Sequence, residues 1–434
     1  MRPNTKGARR HSTAIAAWVL ALWTLAGCES LLEVELPGAV QASDLNNPDL
    51  APTLVLGAQS DFECGFNAWM MISTLWTSTM DQASTLTTHG NLQGRRSAAS
   101  EYGEATCAVD GSPLPFGYWG PLNIARGQAE RAVELIRGFE EPVDNVDLLI
   151  GKSLAYAGYS YQLLSETFCE LYFDAGPRMT PEQGMEIAIA RFDEALQLVG
   201  SATSGEGRSI RNMALVGRAR ANLHLGNGAQ VVADASQVDR DFERLIDRSG
   251  INAFRYNQVF HRSNEDDAYS VSNLQSTYRE VEIDGYWTLT VDGVPDPRVR
   301  STGPTLGSNL HTPLYQQQKY LSRASPIPFS TWKEAQLMIA EVEGGQTAVG
   351  IINTLRDYHG LPHFASTDPA EVREQVLEER RRELWLQGVR HGDMLRLNIP
   401  FPTGVTPAGQ VIVETTPWCF LTQEEEKLGN PNAS

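Results

Sequence analysis

Apolar residues recur at every third or fourth position through most of this chain, and that spacing limits what it can fold into. Side chains so spaced line one face of a helix, and the face must be buried against a neighbour. In PFGYWGPLNIARGQAERAVELIRGF the positions are Tyr118, Leu122, Ala125, Ala129, Ala132 and Ile136. In VDLLIGKSLAYAGYSYQLLSETF they are Leu154, Ala157, Tyr161, Leu164 and Phe168. TPEQGMEIAIARFDEALQLVG opens with a threonine cap and a proline at the first helical position, a helix start signal. RNMALVGRARANLHLG and NGAQVVADASQV are two further amphipathic runs, split by Gly226, Asn227 and Gly228. Helices resume in STWKEAQLMIAEVEG, QTAVGIINTLRDYHG and DPAEVREQVLEERRRELWLQG.

Small residues where helices cross, and tight turns between them, predict antiparallel hairpins. Their succession is similar to tetratricopeptide arrays, although the spacing is uneven. The expected fold class is therefore mainly α, with tetratricopeptide-like hairpins as a scaffold. An apolar-rich stretch over 49–79 adds one or two helices at the front. Residues 80–114, rich in Ser, Thr, Gly and Gln, read as loop. From about 241 to 328 the helical pattern stops, and GYWTLTVDGVPDPR shows a strand-like alternation ending in turn residues. An insertion this long inside a helical protein is usually functional or disordered, and its many aromatic residues predict an ordered one.

The first residues carry an address. Arg2, Lys6, Arg9 and Arg10 precede an apolar run from Ala14 to Leu25 that is too short to span a bilayer. Leu25-Ala26-Gly27 then lead to Cys28. A secretory peptide also ends in small residues, but only a lipoprotein needs a thiol at the cut, to carry its acyl chains. The expectation is a signal peptide over 1–27, a lipidated Cys28 with a tether over 28–48, and a single helical domain over 49–434. Such a protein is anchored by lipid in a Gram-negative envelope. Glu29, Glu33 and Glu35 beside the anchor are compatible with export to the outer leaflet of the outer membrane.

The net charge is −18, and removing the four basic leader residues makes the rest more acidic still. Such a surface repels phosphate backbones, so nucleic acid is not expected as a partner. Beyond Cys28 there are Cys64, Cys107, Cys169 and Cys419. An even number in an oxidising envelope implies two disulfides with three formal pairings; Cys64–Cys107 with Cys169–Cys419 is the one expected. The first would close a loop of about 44 residues, worth roughly 4 kcal/mol if unstrained.

The densest charge lies in EERRRELWLQGVRHGDMLR, residues 378–396. Val372, Val376, Leu377, Leu384 and Trp385 form an apolar stripe that leaves the charges to the flanks. Glu378 precedes Arg382 by four residues, a helical ion-pair spacing, whereas Glu379 and Glu383 need an arginine between them. Paired acids suit glycoside hydrolysis, but adjacent arginines lower a carboxyl pKa and disfavour a proton donor. The stretch reads as scaffold, and no enzymatic activity is expected.

The run Glu379-Arg380-Arg381-Arg382-Glu383-Leu384, with Gly388, Arg390, Asp393 and Arg396, resembles the C-terminal signature of the RagB/SusD family. Further points of resemblance are the Cys28 lipobox, Leu32 to Val34, the helices Lys152–Phe168 and Trp332–Glu343, and the closing LTQEEEKLGNPN. His391 and Gly392 stand where the family often has an aromatic residue, Gln387 replaces an acid, and the extra cysteines are atypical. The resemblance implies a surface lipoprotein that captures a nutrient, usually an oligosaccharide. It would hand that ligand to a SusC-like TonB-dependent β-barrel transporter, without cofactor and without chemistry. A plain tetratricopeptide-like envelope scaffold is the alternative.

Sugar-binding surfaces use flat aromatic faces with polar neighbours. The candidates are Asp81, Gln82, His89 and Asn91 in the first irregular region and Tyr286, Trp287, Tyr315 and Tyr320 in the insertion. Trp69, Trp76 and Trp119 fall in helical patterns and read as packing. No metal site is expected. His359 and His363 are four apart but are separated by the helix breakers Gly360 and Pro362, and Glu265-Asp266-Asp267 lacks the spacing of a calcium loop. No glycine-rich phosphate loop and no Gly-x-Ser-x-Gly elbow occurs.

Overall fold

A computed structural model of the chain describes residues 47–86, 90, 93, 119–274, 278–412, 418–422 and 424–433. The leader, Cys28, most of the tether and much of the 80–114 segment lie outside the described residues. Residues from Pro48 onward pack as one unit, and only that unit is considered below.

Helix α1 (Ala51–Trp76) begins with a proline in its first turn, where the missing N–H had no helical partner to lose. It is one helix rather than two. Strand β1 (Met80–Gln82) follows in what sequence alone reads as loop. Then come α2 (Trp119–Gly138), α3 (Val146–Thr167), α4 (Pro181–Val199), α5 (Gly205–His224) and α6 (Gly228–Ala235), each packed on its predecessor. The start of α4 is a full capping box: the Thr180 hydroxyl accepts from the Gln183 N–H, and the Gln183 side chain accepts from the Thr180 N–H. Two donors that the helix leaves open are satisfied in this way.

The apolar stripe expected on α3 understates its role. Every residue from Ser153 to Thr167 is buried, as in a helix enclosed on all sides. Glycines make that enclosure geometrically feasible. A β-carbon on Gly158 would lie 2.7 Å from the Phe192 ring, and one on Gly217 of α5 would lie 2.4 Å from it. Phe192 of α4 therefore sits between two backbones, and its ring also meets Tyr159 edge-on at 5.2 Å. Phe62, Phe66, Tyr156 and Phe329 continue this aromatic core. Trp69, Trp76 and Trp119 are all buried.

The insertion leaves after α6 through β2 (Glu243–Ile246), and β3 (Tyr269–Val271) pairs antiparallel with β1. A four-stranded antiparallel sheet follows, in the order β4 (Val281–Ile283), β5 (Tyr286–Val291), β6 (Val294–Leu306) and β7 (Pro313–Gln317). The chain returns through β8 (Ile327–Thr331), which pairs with β2 and so closes the insertion at its base. Helix α7 (Trp332–Glu343) then packs on α6 and α5, and the helical array continues through α8 (Gly345–Asp357), α9 (Pro369–Glu383) and α10 (Arg390–Arg396). The insertion is ordered wherever it is described. One expectation needs correcting: GYWTLTVDGVPDPR does not end in a turn. Asp292 and Gly293, with φ of 49° and 81°, form a tight hairpin turn of the kind that matches strand twist. The Pro-Asp-Pro after it belongs to β6.

Cys169 and Cys419 form a disulfide with a Cα–Cα distance of 5.2 Å, as expected. Cys64 is disulfide-bonded too; its expected partner, Cys107, lies outside the described residues. Among the described residues no helix is long and apolar enough to cross a membrane.

Candidate functional site

Tyr286 and Trp287 are consecutive on β5, so their side chains leave opposite faces of the sheet. Trp287 shares its face with Tyr315 of β7: the rings meet edge-to-face with centroids 5.8 Å apart. The indole N–H donates to the Gly303 carbonyl at 3.2 Å, which fixes the ring while leaving it half-buried. The Arg279 guanidinium lies over the Tyr315 ring, 3.4 Å from its centroid. Behind it stands Asp81 of β1, whose carboxylate accepts from Gln93 Nε2 at 2.7 Å. Burial pushes the Asp81 carboxyl up to about 6, against hydrogen bonding by Ser272 and the charge of Arg279. Sequence reasoning does not single out Arg279; the available signal was a basic residue just before the aromatic hairpin.

The other candidates are placed differently. Tyr286 is 36% exposed on the far face, with the Arg300 guanidinium 5.4 Å from its ring centre. Gln82 is buried; its N–H donates to Gln93, and its side-chain amide donates to Ser84 and to the Leu86 carbonyl. It shapes the loop rather than a surface. Tyr320 is buried, and its hydroxyl donates to the Leu386 carbonyl at 2.8 Å. His89 and Asn91 lie outside the described residues. The structure thus brings together Asp81, Trp287 and Tyr315 through Arg279, ties Gln82 to Asp81 through Gln93, and leaves Tyr286 and Tyr320 apart from them.

Within residues 378–396, α9 ends at Glu383, and a second helix, α10, starts at Arg390. Arg382 and Arg381 both pair with Glu378 at 2.6 Å. The remaining charges do not stay on the flanks: Glu379, Arg380 and Glu383 are buried. The arginine that their spacing requires comes from β6. Arg298 Nη1 donates to Glu379 at 2.5 Å and to Glu383 at 3.4 Å, while its other nitrogens hold Asp296. Arg356 takes the second oxygen of Glu379 at 2.6 Å, and Lys333 and His359 each reach Glu383 at 2.8 Å. Burial pushes the Glu383 carboxyl up, but His359, Lys333 and Arg298 hold it well below its ordinary value. A carboxyl so held is no proton donor near neutral pH. Arg380 and Arg396 clasp Asp393 in the same way. Gly388, at φ 84°, lies so close to Trp69 that a β-carbon would be 2.3 Å from the indole. The signature residues therefore lock α9 and α10 to the rest of the molecule. His359 is engaged by Glu383, and His363 pairs with Asp357 at 2.7 Å.

No family model and no curated protein matches the sequence. Solved structures do match. A SusD-like carbohydrate binding protein from Bacteroides vulgatus superposes with a TM-score of 0.66 at 13% identity, over 89% of this chain and 97% of that one. The fold is that of SusD-like proteins. A SusD-like protein from Bacteroides fragilis gives 0.64 at 13% identity, over 93% and 99%. Surface glycan-binding protein A from Bacteroides thetaiotaomicron gives 0.62 at 11% identity, over 88% and 97%. The expected resemblance to the RagB/SusD family and the expected helical, tetratricopeptide-like class are both borne out. At these identities the SusD-like likeness establishes the fold, and function has to be argued from the site.

Proposed function

We propose that this protein is a surface nutrient-binding lipoprotein that captures an oligosaccharide on its inserted sheet and performs no chemistry on it. It would be anchored through Cys28 and would pass its ligand to a SusC-like TonB-dependent transporter in the outer membrane. The observation that carries the reading is the Trp287–Tyr315–Arg279 group. A half-buried indole, held by one hydrogen bond and braced edge-on by a tyrosine, offers a flat face at small entropic cost. Support comes from the fold, which it shares with a SusD-like carbohydrate binding protein and a surface glycan-binding protein. The insertion is also closed at its base and ordered where described, and a plain helical scaffold has no need of it.

The test has two arms. Tagged lipoprotein purified from detergent-solubilised outer membranes is expected to bring down a large β-barrel transporter, and a Cys28→Ala form is not. Titration against a panel of soluble polysaccharides is expected to find a binder whose affinity falls about tenfold or more, equal to about 1.4 kcal/mol, in Trp287→Ala. Tyr286→Ala, on the opposite face, is expected to matter less. If no barrel co-purifies and no glycan binds, the envelope scaffold takes its place.

A further inference from the structure

The C-terminal end of α3 faces the start of α4, the end of α5 and α10 across a cavity of about 270 Å³. None of its lining residues belongs to the inserted sheet, so it is separate from the aromatic face. Glu166 lines it, 3% exposed, and its Oε1 has no hydrogen-bond partner. Nε2 of His224 stands 3.7 Å from that oxygen, beyond hydrogen-bond reach. Burial, with Arg396 nearby, pushes the His224 imidazole down to about 3, so it is neutral.

The charges around this oxygen decide what it can accept. Burial drives the Glu166 carboxyl up to about 7; Arg220 and Arg380 oppose that, while Glu334 and Asp393 reinforce it. Arg220 pairs with Glu334, Arg380 pairs through Nε with Asp393, and Arg396 pairs with Asp393 and Glu341. The capping box of α4 closes the Thr180 and Gln183 N–H groups. Glu182, exposed at the mouth, adds another negative charge. The unpaired Glu166 oxygen, with Glu182 beside it and Glu334 and Asp393 acting on it, makes the cavity a better seat for a cation than for an anion. Beside that oxygen, Met185, Leu225 and Leu395 supply an apolar wall.

We propose that this cavity binds a small aliphatic ammonium ion, with its charge on Glu166 and its carbon chain against Met185, Leu225 and Leu395. Near neutral pH the incoming ammonium pairs with the carboxylate, and the proton that Glu166 carried passes to the solvent. The probe is n-butylammonium chloride, titrated calorimetrically into the full-length lipoprotein in detergent at pH 7, in two buffers of different ionisation heat. Saturable binding with proton release is expected, with n-butanol and butyrate binding at least about tenfold more weakly. Glu166→Gln is expected to lose about tenfold in affinity and all of the proton release. Leu225→Trp, which fills the cavity from the other wall, is expected to block binding with Glu166 intact. Absence of binding to folded wild type, equal binding of butanol, or unchanged binding in Glu166→Gln would each overturn the assignment. The readout is independent of glycan binding, so either reading can fail alone.

Discussion

Glu379 and Glu383 stand one turn apart on α9 and are both buried, an arrangement that two like charges tolerate only with cations between them. Arg298, Arg356 and Lys333 supply the cations, and His359 and Gln375 add hydrogen bonds to the same pair. A pH dependence follows with a definite sign. The folded Glu383 carboxyl lies below its unfolded value of 4.5. Its stabilisation is therefore fully present above about pH 4.5 and is lost progressively as the pH falls below that, toward the folded value. Urea midpoints measured from pH 6 down to pH 3 are expected to fall steeply in the wild type. Glu383→Gln should be less stable at pH 6 and show a shallower fall; an unchanged slope would mean that other carboxyls carry the acid sensitivity. At this scale the sequence showed that Glu379 and Glu383 need an arginine, but not which one. Arg298 is distant in the chain, and its role exists only once β6 has docked.

The docking of β6 on α9 is an interaction between two elements, and Arg298 is its principal polar tie. Arg298 is 7% exposed and holds Asp296 on its own strand as well as the glutamates of α9. Arg298→Met leaves three buried carboxylates short of their shared donor, and breaking a buried ionic set by removing one partner costs about 3–5 kcal/mol. Equilibrium unfolding in urea is expected to show that loss, and adding Glu379→Gln to the same chain to recover part of it. The helices were legible because their signal is local: spacing, caps and glycines name α3, α4 and α7 from a few turns of chain. The sheet was less so. Asp292-Gly293 within GYWTLTVDGVPDPR reads as the end of a strand when it is the middle of a hairpin, because two prolines then disguise β6 as loop. Tyr286 and Trp287 were both candidates as adjacent aromatic residues of the insertion, yet strand alternation puts them on opposite faces. The partner of Trp287, Tyr315, was among the candidates, while Arg279 became visible only through its stack on that ring.

At the scale of the whole molecule, the end of the chain is fastened to its middle. Cys169 and Cys419 are 250 residues apart in sequence and are joined directly after α3. Phe420 exchanges backbone hydrogen bonds with this segment, accepting from the Cys169 N–H at 2.9 Å and donating to the Thr167 carbonyl at 2.7 Å. Its ring packs on Trp76 at 4.8 Å, on His391 at 4.6 Å and on Phe168 at 5.5 Å. The disulfide thus reinforces a contact that packing also makes, and its main effect falls on the unfolded chain, which it keeps from separating. A Cys169→Ser, Cys419→Ser double variant is expected to lose about 2–5 kcal/mol of global stability while keeping the tail in place. Native-state hydrogen exchange separates the two effects. If packing holds the tail, the Phe420 amide should lose protection only in step with a core amide such as that of Tyr159, because both then exchange through global unfolding. If Phe420 exchanges well ahead of Tyr159, the tail peels away once the covalent link is gone, and the disulfide is what places it against α1 and α3.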